Sequence, residues 1–118
     1  TTTPKNILVA GDTHNCWVSN IKEEESFRGV ELGTPSVTSP GASENFAGLI
    51  PATDLEKAVV NKNKNLKWTN LSNRGYLTIN FNPGFADAEF KGVNNIASRD
   101  YSSMILKKFK ILPGKEII

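Results

Sequence analysis

The chain has 118 residues, 38% hydrophobic and 22% charged, which fits one globular domain with its own core and excludes both a multidomain machine and a disordered chain. Fourteen basic against twelve acidic residues leave a formal charge of +2; without a long run of Lys and Arg, no nucleic-acid partner is implied. No stretch approaches the roughly 18 consecutive apolar residues that span a bilayer, so no membrane partner is expected.

No signal-peptide pattern is present, and the single cysteine, Cys16, permits no internal disulfide. The chain starts without Met and enters an apolar run by Ile7, so it is expected to be a piece of a longer polypeptide. That run, Ile7-Leu8-Val9-Ala10, is closed by Gly11-Asp12 and predicts a strand buried on both faces that ends in an abrupt turn. Trp17 to Ile21 and Gly29 to Leu32 pair as a hairpin, with Lys22-Glu23-Glu24-Glu25-Ser26 as its solvated connection. Three adjacent carboxylates on an extended chain cannot all face one ion, so the acidic run reads as a wet loop and not a calcium site.

From Gly33 to Gly48 the glycines, prolines and hydroxyl residues exclude a regular element. Thr53-Asp54-Leu55-Glu56 has the form of a capping box, with Leu55, Ala58 and Val59 on one helical face and the Lys and Asn residues of 61–65 ending the helix in solvent. The last half reads as antiparallel sheet. Tyr76 to Phe81 alternates apolar and polar side chains, Pro83-Gly84 suits a type II turn, and Phe85 to Phe90 returns. Leu66 to Leu71 and Met104 to Leu112 are further strands, the latter with Lys107, Lys108 and Lys110 protecting an edge. No internal repeat is found.

The candidate chemistry lies in Asp12-Thr13-His14, directly after the first strand. On an extended segment residues i and i+2 point to one side, so the Asp12 carboxylate and His14 imidazole can converge on one metal centre or two adjacent ones. This pair suits zinc, iron or manganese, and the carboxylate alone also suits calcium. The bland alternative is that Asp12 caps the strand end through an Asx turn and His14 is an ordinary half-exposed side chain, since two ligands do not make a site.

Gly11-Asp12-Thr13-His14-Asn15-Cys16-Trp17, followed by Gly29-Val30-Glu31-Leu32-Gly33-Thr34-Pro35-Ser36-Val37-Thr38-Ser39-Pro40-Gly41, resembles the carboxy-terminal part of the alkaline phosphatase D-like metallophosphoesterases. Leu71-Ser72-Asn73-Arg74-Gly75-Tyr76 is similar to the Leu-Ser-x-Arg-Gly-Tyr segment of that family. The Thr-Pro-Ser-x-Thr-Ser-Pro-Gly block is the most specific element, because no generic strand pattern explains its prolines and hydroxyls.

The resemblance implies an α/β fold in which residues 1–118 form a single unit, the C-terminal part of a four-layer αββα metallophosphoesterase sandwich. This part would be β-rich, with mostly antiparallel strands and one main helix. It further implies a metal-dependent hydrolase of phosphate monoesters and diesters, of alkaline phosphatase or phosphodiesterase type, with two divalent or trivalent ions (Fe, Zn, Mn or Ca) and a secreted or periplasmic location. The metal-ligand role carries onto Asp12 and His14 only. The other ligands belong to the upstream part of the same protein, so the isolated chain is expected to be inactive and, with a sheet face uncovered, to self-associate. His14 must be neutral to ligate, so activity is expected to fall in acid. The rival reading is a non-catalytic β-rich binding or interaction domain in which Asp12 and His14 are structural.

Other residues have plainer expectations. Trp17 could stack on a substrate but inside an apolar strand reads as core, Arg74 could hold phosphate through its bidentate fork but beside Gly75 reads as a surface cation, and Cys16 reads as a small buried hydrophobe. Asn70-Leu71-Ser72 fits the short N-glycosylation pattern, which chance also produces. Gly29 to Gly33 lacks the Lys-Ser/Thr ending of a phosphate-binding P-loop.

Overall fold

Period-two burial is clear in the strands of residues 16–21 and 85–92, and the computed structural model, which describes residues 6–11, 13–37, 51–94 and 97–117, is built of two facing sheets. The first contains β1 (Asn6–Ala10), β2 (Cys16–Glu23), β3 (Ser26–Gly33) and β4 (Leu66–Asn70) in the order β1-β3-β2-β4. Only β1 and β3 run parallel. Helix α1 (Ala52–Lys62) precedes β4 and packs against it. The second sheet is an antiparallel meander of β5 (Arg74–Asn82), β6 (Phe85–Val93) and β7 (Ser103–Ile111).

The core lies between the sheets. Cys16, Val18, Val30 and Leu32 of the first sheet cluster with Ala86, Ala88, Phe90 and Ile111 of the second. Trp68 of β4 reaches across to Phe90 and Phe109, with ring centroids 4.9 and 5.8 Å away, and these two rings meet edge to face at 6.1 Å. Such tilted packing suits the ring quadrupoles and joins the sheets through one aromatic cluster. At the far end, the buried Asn20 side chain donates to the Ile117 carbonyl and accepts from the Ile117 amide, each at 2.9 Å. This amide pair imitates a strand bridge and fastens the C-terminal segment to β2.

Several local expectations change. The β2–β3 connection is two residues, not five: Glu24 and Glu25 both take left-handed backbone, with φ of 49° and 73°. That combination is the primed turn whose twist matches a tight hairpin. At Pro83-Gly84 the type II turn is not formed, because Gly84 does not adopt the positive φ that it requires. The capping box is also absent: Pro51 is the N-cap and no side chain caps the helix. Glu56 instead accepts a 2.7 Å hydrogen bond from the Leu71 amide, so a tertiary partner takes the carboxylate away from its own helix end. Trp17 is half-buried and points away from the core, on the face opposite Cys16 and Val18.

The largest correction concerns β1, which is not buried on both faces. It is an edge strand, and Leu8 and Val9 are 51% and 57% exposed. Among the described residues nothing pairs with its second edge. Its one partner, β3, comes close because Gly29 has no side chain; a Cβ there would run into the Asn6 carbonyl.

Candidate functional site

The carboxyl ends of the parallel pair β1 and β3 bring sequence-distant segments together. Beyond Ala10 the chain bends at Gly11 and again at His14-Asn15, and beyond Gly33 it continues as Thr34-Pro35-Ser36 without regular structure. The Thr34 amide donates to the Ala10 carbonyl at 2.9 Å, and the Thr13 amide donates back to the Thr34 carbonyl at 3.4 Å. The Thr13 hydroxyl lies 2.6 Å from the Asn15 carbonyl and 3.0 Å from that of Thr34, a shared donor that closes the turn and ties it to the neighbouring segment. Gly33 packs closely here: a Cβ would meet the Thr13 and Trp17 side chains at about 3.1 Å, so they would have to shift by a few tenths of an ångström.

A third segment enters from β4. Its last residue, Asn70, stands opposite Cys16, and the Thr69 hydroxyl donates to the Cys16 carbonyl at 2.8 Å. The Asn70 side-chain oxygen accepts from the Ser72 and Asn73 amides at 3.1 and 2.9 Å. This Asx-type bend carries the chain from the first sheet into the second, and it gives the glycosylation-pattern asparagine a structural task. Directly after it, the Gly75 amide donates to the Ser36 carbonyl at 3.4 Å. Segments 13–17, 34–36 and 70–75, which carry parts of the three motifs of the resemblance, therefore meet at one end of the sandwich.

His14 is exposed in this turn and takes left-handed backbone, φ 62°. Such a conformation is uncommon for a side-chain-bearing residue and concentrates at functional sites. Its candidate partner, Asp12, lies outside the described residues, as do residues 38–48 of the irregular segment. Thr13 and Asn15 serve the turn itself: the Thr13 hydroxyl is directed at backbone carbonyls, and Asn15 is buried. Among the described residues no three His, Cys, Asp or Glu side chains converge as a metal site.

Cys16 is buried as expected, and burial pushes its thiol up to about 12, with Arg74 nearby pulling it down and Glu56 pushing it up. A thiol held protonated at ordinary pH is a poor nucleophile. Arg74 itself overturns the surface assignment: it is only 3% exposed, at the first position of β5. Sequence reasoning missed it because an Arg-Gly pair reads as a solvent-facing turn. The neighbouring glycine held the clue, since a Cβ at Gly75 would run into the Lys91 carbonyl, which marks a tightly packed corner. A separate apolar cleft of about 500 Å³ lies at the opposite, amino ends of β1 and β3, lined by Ile7, Phe27, Phe81, Phe85 and Ile111.

The profile of the PhoD-like phosphatases matches residues 1–90. No curated protein matches. A solved structure described as that of PhoD is similar with a TM-score of 0.72 and 19% identity, over 93% of this chain and 21% of that one. The likeness bears on the fold, and the chain spans about a fifth of the length of that structure. Two mostly antiparallel sheets with, among the described residues, one helix agree with the β-rich part of a sandwich expected from the sequence. With its profile matched over well more than half of its residues, the chain belongs to the PhoD-like phosphatase family.

Proposed function

We propose that residues 1–118 are a single unit, the C-terminal part of a metallophosphoesterase domain, and that Asp12 and His14 are its contribution to a metal centre hydrolysing phosphate monoesters or diesters. The observation that carries this reading is the meeting of segments 13–17, 34–36 and 70–75 at the carboxyl ends of β1 and β3. In sheets with parallel strands, ligands characteristically gather outside those ends.

A carboxylate and an imidazole fit part of a ligand set for borderline or hard cations. When bound, such ions polarise the phosphoryl group and acidify a water molecule. This chain's own residues then have limited tasks. His14 and Asp12 hold the ions, Thr13 fixes the turn between them, and the Thr34–Ser36 segment braces it from the side. With one histidine in the sequence and no third ligand converging among the described residues, the remaining ligands belong to an upstream part of the same protein. The chain alone is expected to be inactive.

The test is hydrolysis of a chromogenic phosphate monoester and diester by the full-length protein. Asp12→Asn with His14→Ala should lose more activity than the roughly 10–100-fold typical of removing a partner of a metal ligand. Activity within twofold of the parent protein would refute the reading.

A further inference from the structure

The core is incomplete between β1 and the β5–β6 turn. The register of β1 on β3 sets Ile7 beside Val30 and Val9 beside Leu32, so both lie on the face on which those two residues are buried. Ile7 packs against the core, yet Val9 is 57% exposed. In the second sheet Phe81 stands beside the buried Ala86 on the inward face, yet it is 71% exposed. Ile7 and Phe81 line the same apolar cleft of about 500 Å³. Apolar side chains on an outer face are ordinary; exposed on the face that buries their neighbours, they mark surface awaiting cover.

The same strand has an open edge. The Ala10 carbonyl accepts from the Thr34 amide, so Ala10 directs its backbone polar groups toward the β3 side, and alternation turns those of Ile7 and Val9 the other way. Among the described residues no strand meets them. Leu8, on the opposite face of the sheet, is 51% exposed, and β1 carries no charge or proline to guard its edge. A parallel strand with apolar side chains on both faces has the character of an interior strand. A small apolar ligand would fill the cleft and leave the edge uncovered, whereas a further strand answers both. The fold points to its source: this chain aligns over 93% of its own length with only 21% of the related structure, so these strands belong to an architecture that extends well beyond them.

We infer that β1 and the adjoining cleft seat a strand from the upstream part of the same polypeptide, which pairs along the open edge of β1 and sets an apolar side chain against Ile7 and Phe81. The inference rests on the reading of this chain as the C-terminal part of a longer protein, and not on its metal centre.

Residue-resolved amide exchange in the full-length protein tests the pairing. The Ile7 and Val9 amides should exchange as slowly as that of Leu8, which faces β3; exchange about tenfold or more faster than Leu8 would overturn the inference. Side-chain cover is read by thiol labelling. Val9→Cys and Phe81→Cys should each react with a maleimide about tenfold or more slowly in the folded protein than in urea, against little background from the buried, protonated Cys16. Reaction as quick folded as unfolded would overturn it. Should these variants fail to fold, hydroxyl-radical footprinting of the unaltered protein should find Phe81 protected relative to the urea-unfolded chain, and an unprotected Phe81 would count against the inference. Protection lost on dilution, with the mass halved in light scattering, would make a second copy the occupant; protection lost when a hydrophobic resin strips a bound apolar compound would make it a small ligand. Either result overturns the inference. Cover without bound metal leaves the strand seated and the metal-centre reading fallen, and bound metal with Ile7, Val9 and Phe81 all open does the reverse.

Discussion

The two sheets of this chain are made by different rules. In the β5–β6–β7 meander every strand is antiparallel to its neighbour, inward Ala86, Ala88 and Phe90 alternate with outward Asp87, Glu89 and Lys91, and the β7 edge carries Lys107, Lys108 and Lys110. Alternation and a lysine-bearing edge let this sheet pack one face on its neighbour and leave the other in water. The β1–β3–β2–β4 sheet instead has a parallel edge strand with Leu8 and Val9 exposed and a left-handed His14 beyond its end. The difference teaches that the meander backs the candidate site, while the mixed sheet carries the His14 turn and presents an edge that no described strand covers.

The heaviest blow to this contrast should fall where the sheets meet. Phe90→Ala removes the ring that Trp68 and Phe109 pack against and should cost about 3–5 kcal/mol, seen as one cooperative loss of both sheets in urea denaturation. Two separate transitions would mean that the sheets are independent units and the comparison mistaken.

Gly29→Ala acts on one sheet alone. Its new Cβ would displace the Asn6 carbonyl, so β1 should leave β3 at an overpacking cost of about 1–3 kcal/mol, with hydrogen exchange rising in residues 6–15 and not in β6. Protection lost equally in both sheets would blur the distinction. Asn20→Ala should cost about 1–3 kcal/mol by leaving the Ile117 backbone groups without their buried partners, and this loss should leave hydrolysis by the full-length protein intact.

The exposed edge offers a sharper probe. Light scattering of the isolated chain should show a dimer or larger species, because Leu8 and Val9 line an edge that no described strand pairs with, and a Leu8→Lys, Val9→Lys variant should be monomeric. The smallest effect is a non-event: with its thiol at about 12, Cys16 holds on the order of one thiolate in 10⁴ at pH 8. Raising the pH toward 12 increases that fraction, so alkylation by iodoacetamide should be negligible in the folded chain at pH 8 and quick after unfolding.

Much of the meander was legible in the sequence, because alternation over Tyr76–Phe81 and Phe85–Phe90 encodes which face is inward without reference to anything distant. The β2–β3 hairpin was legible for the same reason, though Glu24 and Glu25 gave no sign that they alone would make the turn. The burial of β1 was misread, since an apolar run states what a strand can bury and not whether a neighbour is present to bury it. Glu56 and Arg74 were misread for a related reason: each looked local, a cap and a surface cation, and each was claimed by a partner or corner far along the chain. At the site, the spacing of Asp12 and His14 was visible at once. The convergence of Thr34–Ser36 and Asn70–Gly75 on their turn depends on strand order, which spacing does not encode.

Metal content tests the central claim most directly. Elemental analysis of the purified full-length protein should find bound Fe, Zn, Mn or Ca, and the Asp12→Asn, His14→Ala variant, folded by circular dichroism, should have lost at least one ion per chain. Equal occupancy in the folded variant and its parent would contradict the account.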